Sequence, residues 1–166
     1  MPPNPPKASP GRETGAEEIL ELARGTVTVD LLGCLVDSDR IALTRYGWCQ
    51  MTAALRQRSV PLLRDALLAV AIGEAVSAYS DERDVMVHLA VYHFVAGQLG
   101  QSPAGLFDDV ASRLPRGWVP DLLRAFGNRQ DITLEAFGWI LIQTPDGPDF
   151  TPAPPPYTRH RDGDPS

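Results

Sequence analysis

The chain has sixteen prolines, and all but Pro61, Pro103, Pro115 and Pro120 fall in its two ends, residues 1–13 and 144–166. Proline fixes φ and lacks an N–H, so it is tolerated at helix starts and in extended tails but not in helix interiors. The four exceptions stand where apolar helical patterns start or stop. This partition predicts a helical body between two Pro-rich tails, 1–13 and 152–166. Removing the ends leaves about 130 residues, enough for a core without disulfides or metal.

Local signals divide the body. Thr14 and Glu17 have capping-box spacing, Ile19, Leu20 and Ala23 follow as an apolar stripe, and Gly25 closes it. Thr26–Val29 alternates like a short strand, but Asp30 to Val36 reads as helix, so a helix is expected from about Val29 to Val36. Ser38 is the expected cap of a helix to Arg58 with Ile41, Trp48, Met51 and Leu55 inward. Ser59 and Pro61 open the next, where Leu63, Ala66, Leu67 and Val70 recur at helical spacing and residues 66–73 carry no polar side chain. Ser80 is the expected cap before Asp81, Glu82 and Asp84, acids suited to a helix N-terminus. Val85–Ala96, apolar except for His88 and His93, is the expected central helix.

Ser102-Pro103 starts a helix with Leu106, Phe107, Val110 and Leu114 inward, stopped by Pro115. Trp118 is placed in a loop, Pro120–Phe126 in a short helix closed by Gly127, and Asp131 as cap of a last turn through Phe137. Gly138 to Gln143 is short and β-branched, and Thr144-Pro-Asp-Gly147 is a turn sequence, so 138–151 is read as a β-hairpin. Phe137, Trp139, Leu141 and Phe150 are expected to cover the helical body, because an isolated hairpin is marginal. The fold expected is mainly α: an irregular bundle of six or seven helices, stacked as helical hairpins, occupying 14–137, with the hairpin packed on it. No internal repeat supports a solenoid.

Net charge is −6, which argues against nucleic acid and anionic membranes as partners. Fourteen arginines stand against one lysine, Lys7, a bias read as that of a high-GC bacterium. Cys34 and Cys49 lie in apolar segments without metal spacing and are expected as buried thiols in a reducing cytoplasm. The N-terminus carries no apolar stretch of the signal-peptide kind, and residues 66–73 are too short to span a bilayer, so a cytoplasmic location is expected.

No residue is assigned as catalytic, metal-binding or cofactor-binding. His88 and His93 are five apart, which turns them about 140° from one another on a helix, so they do not share an ion. The acids at 81–84 are explained by capping. Phe-Asp-Asp-Val at 107–110 resembles the opening of the acidic metal motif of helical isoprenoid enzymes, but Asn128, Asp131 and Glu135 have the wrong spacing to face it. Asp108 and Asp109 are therefore read as a solvated face, and Arg45, Arg56, Arg58 and Arg64 as surface ion-pair partners. There is no nucleophile motif and no phosphate loop. Pro2–Pro6 and Pro154–Tyr157 match polyproline-docking patterns and are read as solvated tail, like His160.

Three functions remain. The first is a non-catalytic module that binds another protein, of the adaptor, chaperone or immunity kind, through a surface at Trp118, Trp139 and Phe150. The second is an enzyme or small-molecule sensor with a pocket formed by Met86, His88, Tyr92, His93 and Phe94. The third is self-association into a homo-oligomer.

Overall fold

The structure, a computed structural model, describes residues 11–23, 25–76 and 81–154. Both Pro-rich termini, the Ser80 cap, His160 and the two docking patterns lie outside these residues, apart from 11–13 and 152–154. In chain order the elements are α1 (Gly11–Leu22), α2 (Val29–Cys34), α3 (Asp37–Gln57), α4 (Val60–Val76), α5 (Glu82–Gln98), α6 (Pro103–Ala111), α7 (Trp118–Gly127), a 3₁₀ turn (Glu135–Phe137), β1 (Trp139–Thr144) and β2 (Gly147–Pro152). The protein is thus mainly helical with a small C-terminal antiparallel hairpin.

Several helix limits follow from single side chains. Thr28 caps α2, its hydroxyl accepting from the Leu31 N–H at 3.1 Å. Ser102 caps α6 at the Gly105 N–H, with Pro103 in the first turn. At the end of α5, Gly100 takes φ +74° and the Gln101 N–H reaches back to the Ala96 carbonyl at 2.9 Å, a Schellman closure.

Five limits differ from the sequence reading. Helix α1 begins at Gly11, so Thr14 lies within it; Arg12 and Glu13 are adequate helix formers and extend it by a turn. Helix α3 begins before Ser38, because the Asp39 carboxylate accepts the Val36 N–H at 2.9 Å. Helix α5 is capped by Asp81 itself, which accepts from the Arg83 N–H. Trp118 opens α7 rather than lying in a loop, since Gly117 serves as the N-cap. Asp131 does not cap the last turn; its carboxylate is held by Arg129 (2.9 and 3.0 Å), and the Thr133 hydroxyl accepts the Ala136 N–H instead.

Helix α4 is the most enclosed element. Every residue from Ala66 to Glu74 is buried, and α1, α2, α3, α5, α6 and α7 all touch it. The expected central helix, α5, lies beside it and also packs on α3, α6 and α7. Helices α3 and α4 form an antiparallel pair brought close by two glycines. A Cβ on Gly47 would lie 3.0 Å from the Ala66 carbonyl oxygen, and one on Gly73 would lie 3.3 Å from that of Arg40. Helices α6 and α7 pair in the same way, with Phe107 stacked on Phe126 (centroids 6.1 Å, planes 25° apart). Asp108 pairs with Arg124 at 2.9 Å, and Asp109 with Arg64 at 3.0 Å, so these acids and Arg64 are surface ion-pair members.

The hairpin pairs Trp139 with Pro152 and Thr144 with Gly147. The Thr144 hydroxyl donates to the Gly147 carbonyl at 2.7 Å and accepts the Asp146 N–H, locking the turn. β2 lies against α3: Arg56 Nε donates to the Pro148 carbonyl (3.0 Å), and Phe150 is buried. β1 is the outer strand, which leaves Leu141 exposed rather than covering the body. Trp139 is the exception on β1; its indole N–H donates to the Val87 carbonyl of α5 at 2.8 Å. The hairpin thereby bridges α3 and α5.

Candidate functional site

Helix α3 has two apolar stripes about a quarter-turn apart. Leu43, Gly47, Met51 and Ala54 are buried against the core. Arg40, Ile41, Thr44, Arg45 and Trp48 share the neighbouring face and line a cleft of about 410 Å³, together with Val70, His88, Tyr92 and Trp139. Ile41 is therefore exposed rather than core, and Trp48 half-buried, contrary to the inward stripe expected for α3. Val70 and Tyr92, both buried, form the floor; Arg45 and Ile41 form the rim.

One wall is aromatic. Trp48 and Trp139 lie 5.1 Å apart, centroid to centroid, and His88 sits 6.1 and 6.3 Å from them. The stretch of α3 beside Trp48 is cationic. Arg40 and Arg45 enter no ion pair among the described residues, and no carboxylate lines the cleft. Beneath the floor, in the α3–α4 seam, two buried hydroxyls, Tyr92 Oη beside Gly47 and Thr44 Oγ1 beside Gly73, find no hydrogen-bond partner among the described residues. Burial raises the Tyr92 phenol above its ordinary range, so it stays an O–H donor. A buried donor left unpaired costs about 1–3 kcal/mol.

Of the pocket expected from sequence, His88 and Tyr92 are in the cleft and three residues are not. His93 points the other way, as the five-residue spacing requires. Its ring meets Phe107 and Phe126 edge-on, and Nε2 donates to the Arg129 carbonyl at 3.2 Å. Phe94 lies under the hairpin, edge-on to Phe150 at 5.9 Å, and Met86 packs on the core. Of the expected interface, Trp139 and Phe150 join the Trp48 cluster, with Phe150 buried in its base. Trp118 lies elsewhere, in a shallow groove with Leu32, Ala75 and Pro115. Cys34 and Cys49 are both exposed and unbridged, not buried, because each falls on the solvent side of its helix.

Arg40 and Thr44 escaped the sequence reading, and Val70 was read only as a core position. The signal for the first two was present: with Ile41, Arg45 and Trp48 they repeat at i, i+1, i+4, i+5 and i+8 beside a second, complete core stripe. A helix needs only one stripe for burial. Among the described residues no group of three or more His, Cys, Asp or Glu gathers as a metal site, and no helix is long and apolar enough to cross a membrane. No protein family, curated protein or solved structure matches the chain.

The buried face of His93 yields a pH prediction. Burial, first, holds its pKa below the usual 6.5; the carbonyl bond to Arg129 opposes this, the Arg129 charge adds to it, and Asp131 opposes it. Below 6.5 the unfolded chain then binds the proton more readily than the folded one. Stability contributed here is complete above 6.5 and is lost as pH falls toward the folded pKa. Urea midpoints at about pH 7.5 and 5.5 should fall with acid in the native chain, and fall less in His93→Gln. An equal fall in both would contradict this assignment.

Proposed function

We propose that the protein is a small-molecule-binding module, a sensor or carrier, whose site is the cleft between α3, α5 and the hairpin. The observation that carries this reading is the cleft's lining: Trp48, Trp139 and His88 cluster on one side of it, with Arg40 and Arg45 beside them and no carboxylate. The volume, about 410 Å³, falls in the range of small-molecule sites, and the mix of aromatic walls with few polar groups is theirs too.

A catalytic role finds less support. His88 is the cleft's one imidazole, and no carboxylate in the lining orients it as a general base is oriented. The exposed, unbridged Cys34 and Cys49 support a reducing compartment, in line with a bacterial cytoplasm.

Thermal unfolding against a panel of small molecules tests the reading directly. At least one compound is expected to raise the melting midpoint of the native chain and to lose that effect in Trp48→Ala. If no compound shifts the midpoint, the cleft reading falls.

A protein partner is a second reading, supported by Trp118, which is 37% exposed beside Leu32 and Pro115. Tryptophan is enriched at binding hot spots. Pull-down from a bacterial lysate should then lose its captured protein on Trp118→Ala and keep it on Trp48→Ala.

A further inference from the structure

We infer that the cleft selects a small aromatic carboxylate, a one- or two-ring acid; this deepens the proposed function and rests on it. Two independent features of the lining converge on that class. The first is charge. Arg40 and Arg45 both line the cleft, neither meets an acid among the described residues, and no carboxylate is present to compete for them. In a chain whose net charge is −6, two uncompensated guanidinium groups on one concave surface run against the overall balance. Guanidinium recognises carboxylates through paired, charge-assisted hydrogen bonds.

The second is shape. Trp48, Trp139 and His88 present three ring faces and edges within 6.3 Å of one another. Flat rings pack on such walls in offset or edge-on geometry. Phosphate fits less well: the lining has no glycine-rich loop, so its donors are side chains alone.

The test uses intrinsic tryptophan fluorescence of the full chain, titrated with 2-naphthoate, indole-3-acetate, the neutral amide of each, and phenyl phosphate. The acids are expected to quench saturably, with each amide at least tenfold weaker. The double variant Arg40→Gln/Arg45→Gln should erase that preference while its melting midpoint stays near that of the parent, since neither side chain is buried and neither forms an ion pair among the described residues. Equal binding of acids and amides would overturn the carboxylate assignment and leave the cleft as a site. Tighter binding of phenyl phosphate than of either carboxylate would overturn it in favour of a phosphoryl ligand. No saturable signal from any probe would also overturn it, and the wider small-molecule panel then decides the cleft reading separately.

Discussion

Phe107→Ala is expected to lower the unfolding free energy by about 3–5 kcal/mol and the melting midpoint by roughly 10 °C or more. Phe107 is fully buried, stacked on Phe126 and met edge-on by His93. The cost should sit at the upper end of the range for such truncations, because the site has little freedom to collapse. On one side Gly127 already brings the α7 backbone into contact: a Cβ there would lie 2.6 Å from the Phe107 Cβ and 3.1 Å from the Pro103 carbonyl oxygen. The same contact sets the sign for Gly127→Ala. Alanine favours a helix over glycine by about 1 kcal/mol, but the overlap is with a Cβ that no rotamer moves, so a net loss of about 1–3 kcal/mol is expected. Urea unfolding measures both. A native-like midpoint for either variant would mean that α6 and α7 are not packed as closely as this.

Trp139→Ala is expected to cost about 2–4 kcal/mol, somewhat less than a fully buried aromatic because the indole is half-buried. Three contacts go at once: the stack on Trp48, the approach to His88 and the hydrogen bond to the Val87 carbonyl. A two-stranded hairpin has little stability of its own, so its docking depends on such anchors. Amide exchange across Trp139–Thr144 and Gly147–Pro152 should therefore speed up far more than exchange in α4. Trp139→Phe is expected to fall between the native chain and Trp139→Ala: it keeps one ring on Trp48 but loses the N–H bond and the packing of the second ring, for about 1–2 kcal/mol. Unchanged hairpin protection in Trp139→Ala would assign the docking to Arg56 and Phe150 alone. The loss also reaches the cleft, since Trp139 is part of its aromatic wall.

Much of the candidate site was half legible. His88 and Tyr92 are four apart on α5, and that spacing put them on one face before any fold was known. His93 was grouped with them, although its own spacing from His88 had already turned it away. The helix geometry was correct; what sequence lacks is the identity of the element each face meets. Ile41 and Trp48 show the same gap. Their spacing marks an apolar stripe, and so does that of Leu43, Met51 and Ala54, but nothing local says which stripe meets α4 and which meets a cleft. Gly47 and Gly73 decide it, by allowing α3 and α4 to close along the second stripe.

What residue order alone determined lies among neighbours a few positions apart, although even there it misplaced the caps at Ser38, Ser80 and Asp131. Ser102 caps a helix, the Pro145-Asp146 turn reverses the hairpin, and the prolines keep out of helix interiors. These are short-range hydrogen bonds and dihedral limits, so a window of residues contains the whole cause. The tertiary structure decided the rest: that Arg40 and Arg45 share a cleft with Trp139 roughly a hundred positions away, that His93 faces Phe107, and that the Tyr92 hydroxyl lacks a partner. Those outcomes depend on which surfaces close on one another, and burial is a property of the assembled packing, not of any segment within it.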